Sequence, residues 1–193
     1  MPQFLPQSAR PDARVMMFID GENLAIRYKA CLGVDAPVSH VQYIPDVMVW
    51  SPHATRIRGP QDFIRRYYYT SALGADDYRN DIEEQLKKLG IEAPRVFPRN
   101  KDGRSKGVDI TLATDMLTHA HRKNFDIAIL ITGDGDYVPL VEAVKREGCR
   151  VVLWALERGL SPALKKAADH YWDIGELFFR ESTGDTVFTA IYT

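Results

Sequence analysis

Three continuous apolar runs constrain the fold of this chain more than any other feature of its sequence. The runs RVMMFID (14–20), FDIAILIT (125–132) and CRVVLWAL (149–156) lack the polar alternation of a half-exposed strand. This pattern predicts strands that are buried on both faces of a parallel sheet. The tyrosine-rich run RRYYYTSA (65–72) predicts a fourth strand, and PRVFP (94–98) predicts a short strand at an edge.

Helical patterns fill the segments between these runs. Segment 76–90 ends in a glycine suited to a helix C-terminus, and segment 108–124 repeats apolar residues every four positions. Segment 137–148 carries a proline near its start and a glycine at its end, and 161–179 opens with a Ser-Pro cap signal for a last helix. Strands that alternate with helices predict a three-layer α/β fold, with a central parallel sheet and helices on both faces.

The chain is long enough for one domain of this kind, because 193 residues can bury a sizeable core. Residues 1–13 carry three prolines and little periodicity, which predicts a flexible N-terminal arm. Residues 14–180 are predicted to form the domain, with an irregular, helix-containing insertion at 31–62. Residues 181–193 are interpreted as a C-terminal tail.

Charge and cysteine content argue against several classes of site. The net charge of −1 gives no global basicity, so nucleic-acid binding would need a local basic patch. Cys31 and Cys149 lie far apart without a CxxC pattern, which argues against structural zinc and favours a reducing cytoplasm. No apolar run is long enough to span a membrane, and no GxSxG, P-loop or GxGxxG motif is present.

Four aspartates are predicted to meet at one edge of the sheet. Asp20 ends the first strand, Asp134 and Asp136 follow the run 125–132, and Asp109 lies in the first turn of a helix. Ligands of parallel α/β sheets bind outside the carboxyl ends of the strands. The four carboxylates are therefore candidate catalytic residues and metal ligands.

The closely spaced pair Asp134 and Asp136 is the most informative part of this set. A single aspartate after a strand usually makes a turn or caps the next helix, and Asp136 could cap the helix that starts near Val138. Gly135, however, permits a turn that brings both carboxylates to one side. Carboxylates about 4 Å apart repel by roughly 4 kcal/mol at an effective dielectric constant near 20. A hard divalent cation would offset that repulsion, which predicts Mg²⁺ or Mn²⁺.

Two further polar residues lie close to these aspartates in sequence. Asn23, three residues after Asp20, is either a helix N-cap or a neutral ligand or substrate contact. Asp115 follows Asp109 by six residues and points about 120° away from it around a helix. Asp115 is therefore predicted to support the site indirectly or to be structural.

A basic loop, FPRNKDGRSKGVD, precedes Asp109. Such a charge run is either a solvated surface or, beside carboxylates and a helix N-terminus, a phosphate-binding loop. Its four cations are Arg99, Lys101, Arg104 and Lys106.

The segments that carry these residues resemble a known family. MFIDGENL, KGVDITLATDML and ILITGDGDYVPLVEAVKREGCRVVL together resemble the NYN domain, in the LabA-like branch of the PIN-like nuclease superfamily. The later segment LSPALKKAADHYWDI is similar to the last helix of that branch. Three motifs in this order and spacing are a strong signal, and the resemblance covers roughly residues 14–178.

The resemblance implies a PIN-like fold and a metal-dependent ribonuclease site. By motif, the family's site positions fall on Asp20, Asn23, Lys106, Asp109, Thr132, Asp134 and Asp136. No acidic position of the motif is lost. Tyr137 stands where the family often has Phe, and residues 31–62 match no pattern of the family.

Three functions remain open from the sequence. The first is a Mg²⁺- or Mn²⁺-dependent ribonuclease, expected to be an endoribonuclease, in which Thr132 fixes a carboxylate or water and Lys106 and Arg104 hold the RNA phosphate. The second is a phosphatase of the haloacid-dehalogenase type, but that chemistry needs a D-x-D motif and the first strand gives Asp20 followed by Glu22. The third is a non-catalytic RNA-binding or regulatory module that keeps a metal site. The near-neutral charge predicts weak nonspecific affinity, which leaves a protein partner or a second copy of the chain as a source of RNA contacts.

Overall fold

The computed structural model describes residues 13–56, 62–100 and 107–180, and within them the chain forms a six-stranded sheet and a two-stranded hairpin. The strands are β1 (Arg14–Asp20), β2 (Gln42–Ile44), β3 (Met48–Trp50), β4 (Asp62–Ala72), β5 (Ala93–Pro98), β6 (Ile127–Ile131), β7 (Arg150–Ala155) and β8 (His170–Asp173). The helices are α1 (Gly21–Cys31), α2 (Pro52–Arg56), α3 (Asp76–Lys88), α4 (Val108–His121), α5 (Val138–Arg146), α6 (Pro162–Ala167) and α7 (Gly175–Phe179), and a 3-10 turn at Gly135–Tyr137 precedes α5. The sheet order is β5-β4-β1-β6-β7-β8, and every neighbouring pair is parallel.

The central strand β1 shows why the apolar runs are continuous. Val15, Met17 and Ile19 pack into the core on one face of the sheet, and Met16 and Phe18 pack into the core on the other. Each fully buried side chain of this size contributes about 1.5–3 kcal/mol to stability. The predicted parallel α/β architecture is therefore confirmed, as is the position of β5 at an edge.

Helices cover both faces of the sheet, as predicted. One core lies under α1, α2, α3, α7 and the hairpin, and the other lies under α4, α5 and α6. The helix α4 illustrates the pattern, because Val108, Leu112, Met116 and Ala120 recur every four residues and are all buried.

The register of β1 and β6 places the candidate site. Ile19 lies opposite Ile131, so both strands end at the same level and Asp20 and Thr132 leave the sheet side by side. Since α1 and α4 lie on opposite faces, residues from both helix layers can approach these two strand ends.

The prediction of one helix over 161–179 is wrong, because the segment forms α6, then the edge strand β8, then α7. Tertiary packing overrides the helical pattern here. Trp172 of β8 packs edge-on against Trp154 of β7 with ring centroids 4.7 Å apart, and Asp169 accepts a hydrogen bond from the Val151 backbone N–H. Aromatic residues favour strand positions where they pack on a sheet.

The described part of 31–62 contains the expected helix, α2, together with a hairpin that the sequence did not indicate. Strand β3 of the hairpin is fully buried, and the Tyr68 hydroxyl bonds to both the N–H and the C=O of Val49. These contacts attach the hairpin to the core of the domain.

The predicted arm and tail fall almost wholly outside the described residues. Of residues 1–13 only Ala13 is described, and its side chain is buried. Residues 181–193 are not described. In the three described ranges, no helix combines the length and apolar character needed to cross a bilayer.

Candidate active site

Asp20 is the most deeply buried carboxylate of the predicted set, with 3% of its surface exposed. Its Oδ1 accepts a hydrogen bond of 3.0 Å from the Asn23 backbone N–H, so Asp20 is the N-cap of α1. Its Oδ2 accepts a hydrogen bond of 3.0 Å from the Thr132 hydroxyl. Burial raises the pKa of Asp20 to about 7, helped by the charges of Asp109 and Glu22 and opposed by the two hydrogen bonds. This carboxylate therefore resists ionisation until a positive charge comes near.

The turn after β6 arranges the next two aspartates. The Thr132 oxygen accepts a 3.2 Å bond from the Asp134 N–H, and Asp134 Oδ1 accepts a 3.0 Å bond from the Asp136 N–H. Asp134 thus caps the 3-10 turn, and within the described chain no side chain caps α5. A Cβ on Gly135 would come within 2.7 Å of the Ser161 hydroxyl oxygen, so the turn requires glycine where it passes α6. Asp134 is half-buried, whereas Asp136 is exposed. Asp136 does not cap α5.

Tyr137 connects Asp109 to this turn. The Tyr137 side chain is buried, and its hydroxyl donates a 3.0 Å hydrogen bond to Oδ1 of the exposed Asp109 in the first turn of α4. Burial, followed by the nearby charges of Asp20, Asp109 and Asp134, raises the pKa of Tyr137 far above its usual range. The phenol therefore stays protonated and acts as a donor among three carboxylates that come from three different elements.

A cavity of about 480 Å³ opens beside these residues, between α4 and α5. Asp109, Asp134 and Asp136 line one part of it, and the remaining lining is largely apolar. Asp20 does not line the cavity, although its charge interacts with that of Asp109. In the parts of the chain that are described, no three acidic, imidazole or thiol groups already form a set able to hold a metal ion. Convergence of all four carboxylates into one acidic pocket that holds one or two metal ions stays a prediction.

Asn23 and Asp115 have different roles in the structure. The Asn23 side-chain oxygen accepts a 3.0 Å bond from the Gly133 N–H, so it ties α1 to the loop that carries Asp134. Asp115 instead accepts a 2.9 Å bond from the Tyr69 hydroxyl and lies 3.4 Å from Arg95. These contacts hold α4 against β4 and β5.

A further charged group beside the site was not predicted. Glu22 forms an ion pair of 3.0 Å with Arg99, and Ser71 lies between them, donating to Glu22 and accepting from Arg99. Arg99 is therefore neutralised within the protein. The other three cations of the basic loop, including the candidate phosphate ligands Lys106 and Arg104, lie outside the described residues.

The Tyr137–Asp109 bond has a matched counterpart on the same helix, the Tyr69–Asp115 bond. Tyr137→Phe and Tyr69→Phe each remove one hydrogen bond to a carboxylate, so each should lower the free energy of unfolding by about 1.5–3 kcal/mol. Only Tyr137→Phe should also alter the rise in melting temperature on adding Mn²⁺, because only Asp109 is a predicted ligand. Denaturant and thermal unfolding with and without Mn²⁺ measure both effects. Equal metal responses in the two variants would contradict a role for Asp109.

Comparison with solved structures identifies the fold. A crystal structure of VPA0982 from Vibrio parahaemolyticus, a protein of unknown function, matches with a TM-score of 0.63 at 18% sequence identity, covering 90% of this chain and 100% of that chain. The shared fold is a parallel sheet with helices on both faces, consistent with a PIN-like fold.

Sequence comparison gives a relative and a family. The chain is 34% identical over 71 residues to the uncharacterized protein MJ0482 of Methanocaldococcus jannaschii, which is 37% of this chain and only 30% of the relative's length. The profile of the NYN domain matches residues 14–175, a range that includes Asp20, Asp109 and the loop from Thr132 to Asp136. The chain therefore belongs to the NYN domain family.

Proposed function

We propose that this protein is a divalent-metal-dependent ribonuclease that hydrolyses RNA phosphodiester bonds, and specifically an endoribonuclease. The observation that carries the proposal is the buried Asp20 carboxylate, whose pKa burial and neighbouring negative charges raise to about 7. The NYN domain family is part of the PIN-like nuclease superfamily, which favours hydrolysis of nucleic acid over other reactions of acidic sites.

The donor groups fit Mg²⁺ or Mn²⁺. Both cations prefer oxygen ligands, and Asp20, Asp109, Asp134 and Asp136 supply carboxylate oxygens at one end of the sheet. When bound, such a cation supplies Lewis-acid activation of water and neutralises charge on the phosphate. A cation would also stabilise the ionised form of Asp20, which burial disfavours.

The chain's own residues position these ligands. Thr132 donates to Asp20 and accepts from the backbone of Asp134, so one hydroxyl sets the spacing of the β1 and β6 carboxylates. Tyr137 holds the otherwise exposed Asp109 in one orientation. Such fixed carboxylates need little rearrangement when substrate binds, which lowers the barrier to reaction.

We propose that Lys106 and Arg104 bind the RNA phosphate. Both precede α4, which begins at Val108, and among the described residues no side chain caps its first turn. A long helix with free N–H groups at its start attracts anions, and the two cations add to that attraction.

The phosphatase alternative is not favoured by the contacts of Glu22. In a D-x-D arrangement Glu22 would be the second acid, but it is held by Arg99 at 3.0 Å and by the Ser71 hydroxyl. An acid that is already paired in this way is a poor proton donor or acceptor for a phosphate ester.

We further propose that the chain lies in the LabA-like branch and acts in the cytoplasm with RNA as its partner. A second copy of the chain or another protein would add RNA contacts, since the net charge of −1 gives little general attraction for RNA.

The experiment that tests the proposal is incubation of the purified protein with labelled RNA and, separately, with a phosphomonoester. RNA cleavage is expected with Mn²⁺ or Mg²⁺ and should stop with EDTA. Phosphomonoester turnover without RNA cleavage would establish the phosphatase. RNA binding without cleavage under any metal would establish the non-catalytic module.

A further inference from the structure

Arg27 lies at the same end of the sheet as the carboxylates and has no part in the site described above. It follows Asn23 by four residues on α1, so the two side chains lie on the same side of the helix. A Cβ added to Gly133 would lie 3.3 Å from Arg27 Nε, and one added to Gly159 would lie 1.8 Å from Nη1. The half-buried guanidinium therefore lies across the loops that follow β6 and β7, in space that two glycines leave open.

The guanidinium is held beside the segment that carries Asp134. Gly133 lies between Thr132 and Asp134, and its N–H donates to the Asn23 side chain that shares the helix face with Arg27. Arg27 approaches this segment from the α1 layer, whereas Asp109 comes from the α4 layer on the other face of the sheet. Arg27 and Asp109 thus approach the strand ends from opposite faces of the sheet.

Arg27 also differs from the neighbouring cations in its pairing. Arg99 pairs with Glu22, Lys29 with Asp46 and Lys165 with Glu157. No carboxylate of residues 13–56, 62–100 or 107–180 forms an ion pair with Arg27. A half-buried cation that no described carboxylate neutralises is favourably placed to bind an anion from outside the protein, and the planar guanidinium matches a phosphate group in two-point contact.

A second arginine lies on the same side of the sheet as Arg27. Arg158 is exposed in the loop that holds Gly159, and it lies near Cys31, one turn beyond Arg27 on α1. Asp35 and Asp173 also act on Cys31, so this part of α1 lies among charges of both signs.

We propose that Arg27 forms a phosphate-binding subsite that holds the RNA backbone on the α1 side of the carboxylates, next to the phosphate that is cleaved. This subsite rests on the proposed ribonuclease function, and it lies on the α1 side of the sheet, whereas α4 lies on the other side. The RNA strand then runs across the carboxylate end of the sheet, with Arg27 holding it on the α1 side.

Arg27→Ala should weaken binding of labelled single-stranded RNA about tenfold, because a charge-assisted contact is lost. Binding is measured by fluorescence anisotropy in EDTA, where the proposed cleavage cannot proceed. The slope of log affinity against log salt should fall in magnitude by about 0.7, the value for one phosphate contact on a single strand. Arg27→Lys should keep most of the salt slope and recover only part of the affinity. The rise in melting temperature with Mn²⁺ should not change in either variant.

A glycine pair supplies a matched test that leaves Arg27 in place. Gly159 and Gly148 both have φ of +80°, but a Cβ at Gly148 meets nothing within 4 Å. Alanine at either position carries the same backbone strain, so only Gly159→Ala should displace the guanidinium and weaken RNA binding. In the Arg27→Ala background, Gly159→Ala should have no further effect on RNA affinity.

Arg146→Ala serves as the charge control, because Arg146 is exposed at the end of α5, near the start of β7 and so at the opposite end of the strands from the carboxylates. If Arg27→Ala and Arg146→Ala bind RNA equally well while the unaltered protein cuts RNA with Mn²⁺, the subsite is wrong and the ribonuclease proposal stands. If the unaltered protein neither binds nor cuts RNA, both proposals fall.

Discussion

Replacing Asp134 by Asn should lower metal-dependent RNA cleavage by about a hundred- to a thousandfold, the usual cost of losing one preorganised electrostatic contact at a reacting centre. The fold should be unchanged, because the amide oxygen of Asn can still accept the hydrogen bond that Asp134 Oδ1 takes from the Asp136 N–H. The substitution thus removes the negative charge and keeps the turn. Initial rates with Mn²⁺, together with the melting temperature in EDTA, measure the two properties separately.

The chain offers a close control in Asp173. This residue ends β8, and like Asp134 it makes a short turn after a strand of the sheet, because its Oδ1 accepts a 2.9 Å bond from the N–H two residues later, at Gly175. Asp173→Asn should therefore leave RNA cleavage nearly unchanged. Equal loss of activity in the two variants would mean that cleavage does not depend specifically on the charge of Asp134. Full activity of Asp134→Asn would remove Asp134 from the site.

The sequence predicts the sheet well because its signal is local. A strand buried on both faces must be apolar at every position, and β1, β6 and β7 show this pattern without reference to the rest of the chain. The strand β8 could not be found in the same way. Its four residues pair with β7 only because α6 ends at Ala167, and its local pattern continues that of a helix.

The site was predictable only in part for a related reason. An aspartate at or just after a strand end identifies Asp20 and Asp134, whereas other contacts beside the site join residues that are distant in sequence. The Glu22–Arg99 pair and the Tyr137–Asp109 bond join separate elements of the chain. Arg27 carries no motif of its own, and only the two glycines that accommodate it in three dimensions distinguish it from a surface arginine.

The buried Asp20 predicts an unusual dependence of stability on pH for the metal-free protein. Its pKa is near 4 in the unfolded chain and about 7 in the fold, so the folded state binds the proton more tightly. Stability from this group is present in full below about pH 4, falls by about 1.4 kcal/mol per pH unit as the pH rises toward 7, and is constant above that. The total loss is about 4 kcal/mol, a large part of the 5–15 kcal/mol typical of a domain.

Asp20→Asn removes this titration while its amide can still accept from the Asn23 N–H and donate to the Thr132 oxygen. In EDTA the variant should therefore be more stable than the unaltered protein at pH 8, and the difference should shrink steadily toward pH 4. Chemical denaturation across this range measures the difference, and Asp77→Asn, at an exposed carboxylate in the first turn of α3, controls for loss of one negative charge.

Mn²⁺ at pH 8 should stabilise the unaltered protein more than Asp20→Asn, because a cation that binds only the folded state favours ionised Asp20. Parallel stability curves for the unaltered protein and Asp20→Asn would show that Asp20 is ionised as readily in the fold as in the unfolded chain. In that case burial would not be what prepares this carboxylate for a cation.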